Sequence, residues 1–307
     1  MFNFLPSSVL QMASIFLSII IEALPFVLLG CVVSGLLHRY LDEETIEKIL
    51  PKNKFLAVIV GTFVGFFFPS CECGIIPIVK RLLSKGVPEY VAFAFMLSAP
   101  IINPIVLFAT FSAFSNSFRF MWLRFFGGIF VSLLVGIFLA YFNKEKVLKK
   151  IAEHDGDSCS CSCSCGHDHG RHSHGDHKHS VLKSASDEFF DSGKYLIVGS
   201  LLAAAMQTYL PTRIIEHFNT NLPLSIAVMM LLAFTLSLCS EADAFIGSSL
   251  LSLFNPAAVV AFLVIGPMVD IKNLLMMRAS FRSKFILKLV TLIIFLAFIY
   301  SMIVGVL

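Results

Sequence analysis

The amino-acid sequence predicts an all-α integral membrane protein of about eight hydrophobic helical segments, in two related halves with broken helices. Three observations carry this. Of the 307 residues, 57% are hydrophobic and only 14% charged, with 32 phenylalanines, whereas a soluble domain is roughly half apolar and a quarter charged. The apolar residues fall in long runs, most of them near the roughly 20 residues a helix needs to cross hydrocarbon. Several runs are interrupted by Pro, Gly, Cys and acids, and the interruptions recur in the second half. A net charge of +3 is too small to argue for nucleic acid.

The first run, Val9–Leu37, carries Glu22. Met1 to Phe4 hold no basic n-region and no small-residue cleavage site follows, so this run is expected to stay as a membrane helix. The second, Phe55–Val79, contains Phe68-Pro69-Ser70-Cys71-Glu72-Cys73-Gly74-Ile75-Ile76-Pro77. Proline removes a backbone donor, so the helix should break there. Broken backbone survives in lipid only where protein or a water-filled cavity satisfies it. An acid at that depth marks a site, and thiolates select soft or borderline ions. Cys71, Glu72 and Cys73 are therefore candidate substrate or metal ligands; a kink filled by two small cysteines is the bland alternative.

The third run, Val91–Phe114, includes Ala99-Pro100-Ile101-Ile102-Asn103-Pro104, where Asn103 could ligate an ion, orient a ligand or cap a broken helix. Phe120–Phe142 is the fourth. A polar linker, 143–188, follows; it is read as cytosolic, without a packed core. It holds Cys159, Cys161, Cys163 and Cys165, then His167, His169, His172, His174, His177 and His179. Thiolates and imidazoles are the zinc and copper ligands of proteins, but the spacing of no single rigid site is present. A flexible tract holding several ions is expected.

The fifth to eighth runs are Tyr195–Leu210, Leu222–Leu253, Ala257–Val269 and Phe285–Leu307. The sixth is interrupted by Cys239-Ser240-Glu241-Ala242-Asp243, and the short seventh ends in Gly266-Pro267-Met268-Val269-Asp270. Cys239, Glu241, Asp243 and Asp270 are candidate site residues, with Glu22, Glu72 and Glu241 as candidates for proton or charge coupling. Three pairs align in order at a spacing of about 167 to 169 residues: Glu22 with Asp191, Cys71 with Cys239, and Ala94–Asn103 with Ala261–Asp270. This suggests an internal repeat, as in many transporters. The expected parts are 1–142, a first membrane half; 143–188, the Cys/His loop; and 189–307, a second membrane half.

Basic residues predict how the runs cross. Let Phe55–Val79 fold back as a re-entrant hairpin from the cytoplasm and Leu222–Leu253 do so from outside. Lys80, Arg81, Lys85, Lys272, Arg278, Arg282, Lys284, Lys288 and the metal-binding loop then face inward, and Arg119, Arg124 and Arg213 outward. Three crossings per half would invert one half relative to the other. A full crossing by the 25 residues of Phe55–Val79 is the alternative.

Pro69–Pro77, Lys80-Arg81-Leu82-Leu83-Ser84-Lys85-Gly86 and Ala99–Pro104 together resemble the YraQ-like family of bacterial predicted permeases. That family includes methylarsenite efflux permeases and copper/zinc efflux transporters. The resemblance covers essentially the whole membrane part and implies export from the cytoplasm. The Cys-Glu-Cys form with its Cys/His loop looks closer to the copper/zinc members. The expectation is a multi-pass permease of the cytoplasmic membrane, exporting a soft metal or metalloid in heavy-metal resistance. No cofactor is expected beyond transported or loop-bound Zn, Cu or an arsenical. Expected partners are lipid and metal or metalloid ions, with a homo-oligomer allowed. No Walker-type loop is present, so ATP use is not expected. A thiol oxidoreductase using Cys71 and Cys73, and a metal sensor or assembly subunit that transports nothing, are the rival readings.

Overall fold

A computed structural model describes residues 7–40, 50–68, 71–142, 147, 177–209 and 221–306. Cys159, Cys161, Cys163, Cys165, His167, His169, His172 and His174 lie outside the described residues. Among the described residues the protein is helical, with no β-strand. The first half holds α1 (Ser7–Tyr40), α2 (Lys54–Val64), α3 (Glu72–Ser84), α4 (Glu89–Ile102), α5 (Pro104–Ala113) and α6 (Phe118–Phe142). The second holds α7 (His177–Tyr209), α8 (Leu222–Leu236), α9 (Ser240–Leu250), α10 (Pro256–Ile265), α11 (Ile271–Ser280) and α12 (Ser283–Val306). Among the described residues, four stretches are long and apolar enough to cross a membrane: Ser8–Leu36, Glu89–Ala113, Phe118–Phe142 and Ser283–Val306.

Four of the eight expected runs are thus broken or extended. Phe55–Val79 stops at a 3₁₀ turn, Gly65–Phe67, and restarts at Glu72. Val91–Phe114 divides at Asn103, and Leu222–Leu253 divides between Leu236 and Ser240. Ala257–Val269 ends at Ile265, and a separate helix begins at Ile271. One boundary differs the other way. The linker was expected to run to Glu188, yet α7 starts at His177. Residues 177–192 contain neither Gly nor Pro, so nothing stops the helix from growing backward from its apolar part.

The helix starts recur. Lys54 and Leu222 are 168 residues apart, as are Glu72 and Ser240, while Glu89 and Pro256, and Pro104 and Ile271, are 167 apart. Packing fixes the running directions. A Cβ on Gly61 would meet Val91, and one on Gly65 would meet Ser98 and Ala99. Further along, Asn103 Nδ2 donates to the Phe68 carbonyl at 3.3 Å. Helix α2 therefore runs beside α4 in the same direction. Since Lys85–Pro88 joins α3 directly to α4, the start of α2, the end of α3 and the start of α4 share one end of the molecule. Residues 54–84 enter and return as a hairpin.

The second half repeats this at the opposite end. Leu222 and Ala257 lie together against Gly305, and the Lys272 amide donates to Ser237 Oγ at 3.3 Å, so α8 runs beside α10 and toward the start of α11. Helices α3 and α11 lie side by side in the same direction: Ile76, Pro77 and Lys80 face Met276, Ala279 and Ser280 across a 140 Å³ cavity. The end of α11 is thus at the end of α3, and α8 and α10 begin at the far end. Two hairpins approach the centre from opposite ends. Helix α1 packs on α7 and on α3. Its contact with α3 is close because Gly74 has no side chain; a Cβ there would lie 2.6 Å from the Phe26 carbonyl oxygen.

Candidate functional site

Four half-helices begin at the centre, and the residue before each is one singled out by the sequence. Cys71 precedes α3, Asn103 precedes α5, Cys239 precedes α9 and Asp270 precedes α11. A helix start carries unpaired N–H groups and about half a positive charge, so acceptors and anions are stabilised there. Three of the four side chains act as caps. Asn103 Oδ1 accepts from the Ile105 amide at 2.9 Å, Asp270 Oδ1 from the Asn273 amide at 2.5 Å, and Cys239 Sγ from the Ala242 amide at 3.5 Å. Cys71 makes no capping bond.

The breaks meet around a cavity of about 30 Å³ whose polar lining is Glu22, Cys71, Glu72, Cys73, Ser237, Cys239 and Lys272. That is room for about one water-sized group or ion. Ser240 Oγ donates to Glu72 Oε2 at 3.4 Å, so the tips of the two hairpins touch directly. Cys239 Sγ donates to Glu22 Oε1 at 2.5 Å, tying α1 to the second break. Ser237, left-handed at φ 51°, closes α8 and turns the chain toward Cys239; this conformation costs a non-glycine residue about 1–2 kcal/mol.

Among the described residues, five charged side chains are fully buried: Glu72, Arg124, Asp243, Asp270 and Lys272. Lys272 Nζ lies 3.6 Å from Glu72 Oε1 and 3.7 Å from Asp270 Oδ2. Two carboxylates thus share one ammonium. Arg124 donates to Thr110 Oγ1 and to the Ser240 carbonyl, both at 2.8 Å, and so clamps the start of α9.

The structure therefore brings together Glu22, Cys71, Glu72, Cys73 and Cys239, with Glu241 near Glu22 and Cys239. Asn103 does not line this cavity; it caps α5 and holds the first break through Phe68. Asp270 reaches the cavity only through Lys272. Asp243 does not line it; it packs on Gly266, where a Cβ would come within 2.5 Å of Asp243 Oδ2. Asp243 and Arg124 attract each other electrostatically.

Two residues counted as flanking charges are corrected. Lys272, expected at the cytoplasmic surface, is 2% exposed and sits between Glu72 and Asp270. Arg124, expected outward, is 0% exposed. A sequence signal existed for the first: Asp270 and Lys272 bracket the start of a helix beside a proline-glycine break. None pointed to Arg124, whose partners Thr110 and Ser240 lie in other elements.

Residues 8–306 match a family described as "Predicted permease". The chain belongs to that family. It is 55% identical over 305 residues to a Streptococcus mutans protein named "Putative two-component membrane permease complex subunit", covering 99% of this chain and 98% of that one. It is 50% identical over 300 residues to the "UPF0718 protein YcgR" of Bacillus subtilis, covering 97% and 98%. No solved structure matches. The expected resemblance to bacterial predicted permeases holds at this family level, and the chain is a membrane protein of that family.

Proposed function

We propose that this permease carries a thiophilic metal ion of the copper/zinc type, or a metalloid species, out of the cytoplasm through the central cavity. The supporting observation is the lining itself: Cys71, Cys73 and Cys239 with Glu22 and Glu72, gathered where two opposed hairpins meet. Thiolates give soft-ion selectivity, and discontinuous helices near the midplane are where transporters hold cargo. Glu72 and Asp270 outnumber Lys272, which suits a cationic cargo. Lys272 is a tethered counter-ion for the empty state, and Glu22, Glu72 and Glu241 are candidates for charge or proton coupling. Asn103 and Asp270 position the breaks, and Asp243 with Arg124 anchors the second one.

In this reading the protein is multi-pass in the cytoplasmic membrane, in the two halves and loop named above. The end bearing Lys80, Arg81, Lys85, Arg282 and Lys284 faces the cytoplasm. Without Lys272 and Arg124 the basic bias still points this way. The tract from Cys159 to His179 collects ions there. By analogy with the streptococcal relative's name, a second subunit is a candidate partner. Transport rather than enzyme chemistry agrees with the permease names of the family and that relative.

The test is metal-by-metal uptake into inverted membrane vesicles, with and without a proton gradient. Uptake of Zn(II), Cu(I) or an arsenical above that of vesicles lacking the protein is expected. Absence of uptake for every ion, with the protein present and monodisperse, would refute the reading. Deleting 157–179 should lower uptake at low metal and leave a residual rate at high metal; complete loss at all concentrations would show that the tract is essential.

A further inference from the structure

We infer that the cavity between α3, α7 and α11 binds a phosphate group, and that its depth and lining assign this group to an anionic phospholipid of the surrounding membrane. The site is separate from the central cavity. It takes from the permease reading above only the position of the membrane, with its midplane near the centre and the cytoplasmic leaflet at this end.

The cavity measures about 140 Å³, against about 30 Å³ for the central one. Its polar lining comes from three helices: Lys80 of α3, Ser192, Lys194 and Tyr195 of α7, and Ser280 of α11. Two ammonium groups and three hydroxyls thus border one space, and among the described residues no acidic side chain lines it. An ammonium holds a phosphate as a point charge with three donors, and hydroxyls donate to the remaining oxygens. The end of α11 at Ser280 contributes about half a negative charge, which two lysines outweigh. Lys194 is exposed and Ser280 buried, so the space runs inward from an open rim. A route for a cationic cargo calls for acids or thiols; among the described residues this lining has neither.

Depth points to a lipid. Lys80 lies eight residues beyond Glu72, and Ser280 eight beyond Lys272, which is about 12 Å along each helix at 1.5 Å per residue. Glu72 and Lys272 are paired at the centre. On the third helix, a Cβ on Gly199 would lie 3.0 Å from Lys272 Cα, so Gly199 marks the same central level. Ser192 stands seven residues before it, or about 10 Å. All three helices therefore set the polar groups at one depth, close to the edge of a hydrocarbon core whose half-thickness is about 15 Å. Lipid phosphates lie just outside that edge, within reach of a lysine that extends its head toward water. The rest of the lining, Ile76, Pro77, Met276 and Ala279, is apolar. A free phosphate has no use for that surface, whereas the start of an acyl chain does. Basic pockets between membrane helices on the cytoplasmic side take anionic headgroups for these reasons.

The experiment uses the full-length chain, stripped of lipid in detergent. Phosphatidylglycerol or phosphatidylcholine is added, and bound lipid is counted by native mass spectrometry. One phosphatidylglycerol per chain is expected, held at least about fivefold more tightly than phosphatidylcholine, the value of one lysine near an anionic headgroup. Lys80→Gln and Lys194→Gln should each weaken it by about the same factor, and Lys80→Arg should retain it. Ala279→Leu, which narrows the cavity without changing charge, should also weaken it. Lys284→Gln, exposed at the same end but outside the cavity, should leave it unchanged. Equal affinity for the two lipids, or an equal loss in Lys284→Gln, would overturn the site. Inorganic phosphate at the same concentration should not displace phosphatidylglycerol; displacement would overturn its assignment to lipid. Metal uptake is not read in this experiment, so failure of the site and failure of the permease reading are seen separately.

Discussion

The two hairpin tips use the same backbone device for different ends. Each stops a helix and restarts it with a cysteine in the capping position, Cys71 in the first and Cys239 in the second. At the first tip the Cys71 thiol caps nothing, Cys73 lies two residues beyond, and a fully buried Glu72 stands between them. At the second, Cys239 accepts from Ala242, contacts Glu22, and is followed by Ser240, whose carbonyl Arg124 holds. Repetition supplies the geometry, and divergence of side chains supplies the division of labour. The first tip is fastened to the second half through Glu72, which meets Lys272 and Ser240, while the second is fastened to α1 and α6.

The largest expected effect breaks the first tip. Cys71→Ser and Cys73→Ser retain size and remove the soft ligand, so each should reduce metal export to background without changing the amount of protein in the membrane. Normal export by the double variant would reduce the first tip to a kink. The next effect is on stability and falls on the fastenings. Lys272→Met leaves Glu72 and Asp270 buried without their cation, and Arg124→Met frees the Ser240 carbonyl. Each should cost about 3–5 kcal/mol in detergent unfolding. Lys272→Met combined with Asp270→Asn should recover part of the loss; no recovery would place the energy of Lys272 elsewhere. The smallest effect separates the tips themselves. Cys239→Ala should cost about 1 kcal/mol, the value of a helix cap, and Cys71→Ala close to nothing on the same scale. Equal losses would mean that Cys71 is also structural.

Much of this was legible in the sequence because the breaks have local causes. Proline, glycine and acids within an apolar run cannot continue a lipid-facing helix, so Phe68–Pro77 and Cys239–Asp243 were visible without a partner. Asn103 was open between ligand and cap for the same reason: both roles need a side-chain oxygen at a broken helix, and only the position of the Ile105 amide decides. Lys272 and Arg124 were misread because a basic residue beside an apolar run looks like a membrane flank. Their burial depends on Glu72 and Ser240, 200 and 116 residues away, which no local pattern reveals. Asp243 was grouped with Glu241 by adjacency, yet helix geometry turns it to the Gly266 side.

The opposed hairpins place Ser84 and Ser115 at opposite ends of the molecule. In a full-length variant stripped of native thiols, single cysteines at these positions are exposed on intact cells to a membrane-impermeant maleimide. Labelling of position 115 alone, with position 84 reacting only after the cells are opened, is the predicted result. Labelling at 84 on intact cells contradicts the arrangement: with 115 spared it means that residues 54–84 cross completely or that the cytoplasmic end has been assigned in reverse, and together with 115 it means that residues 89–113 do not cross.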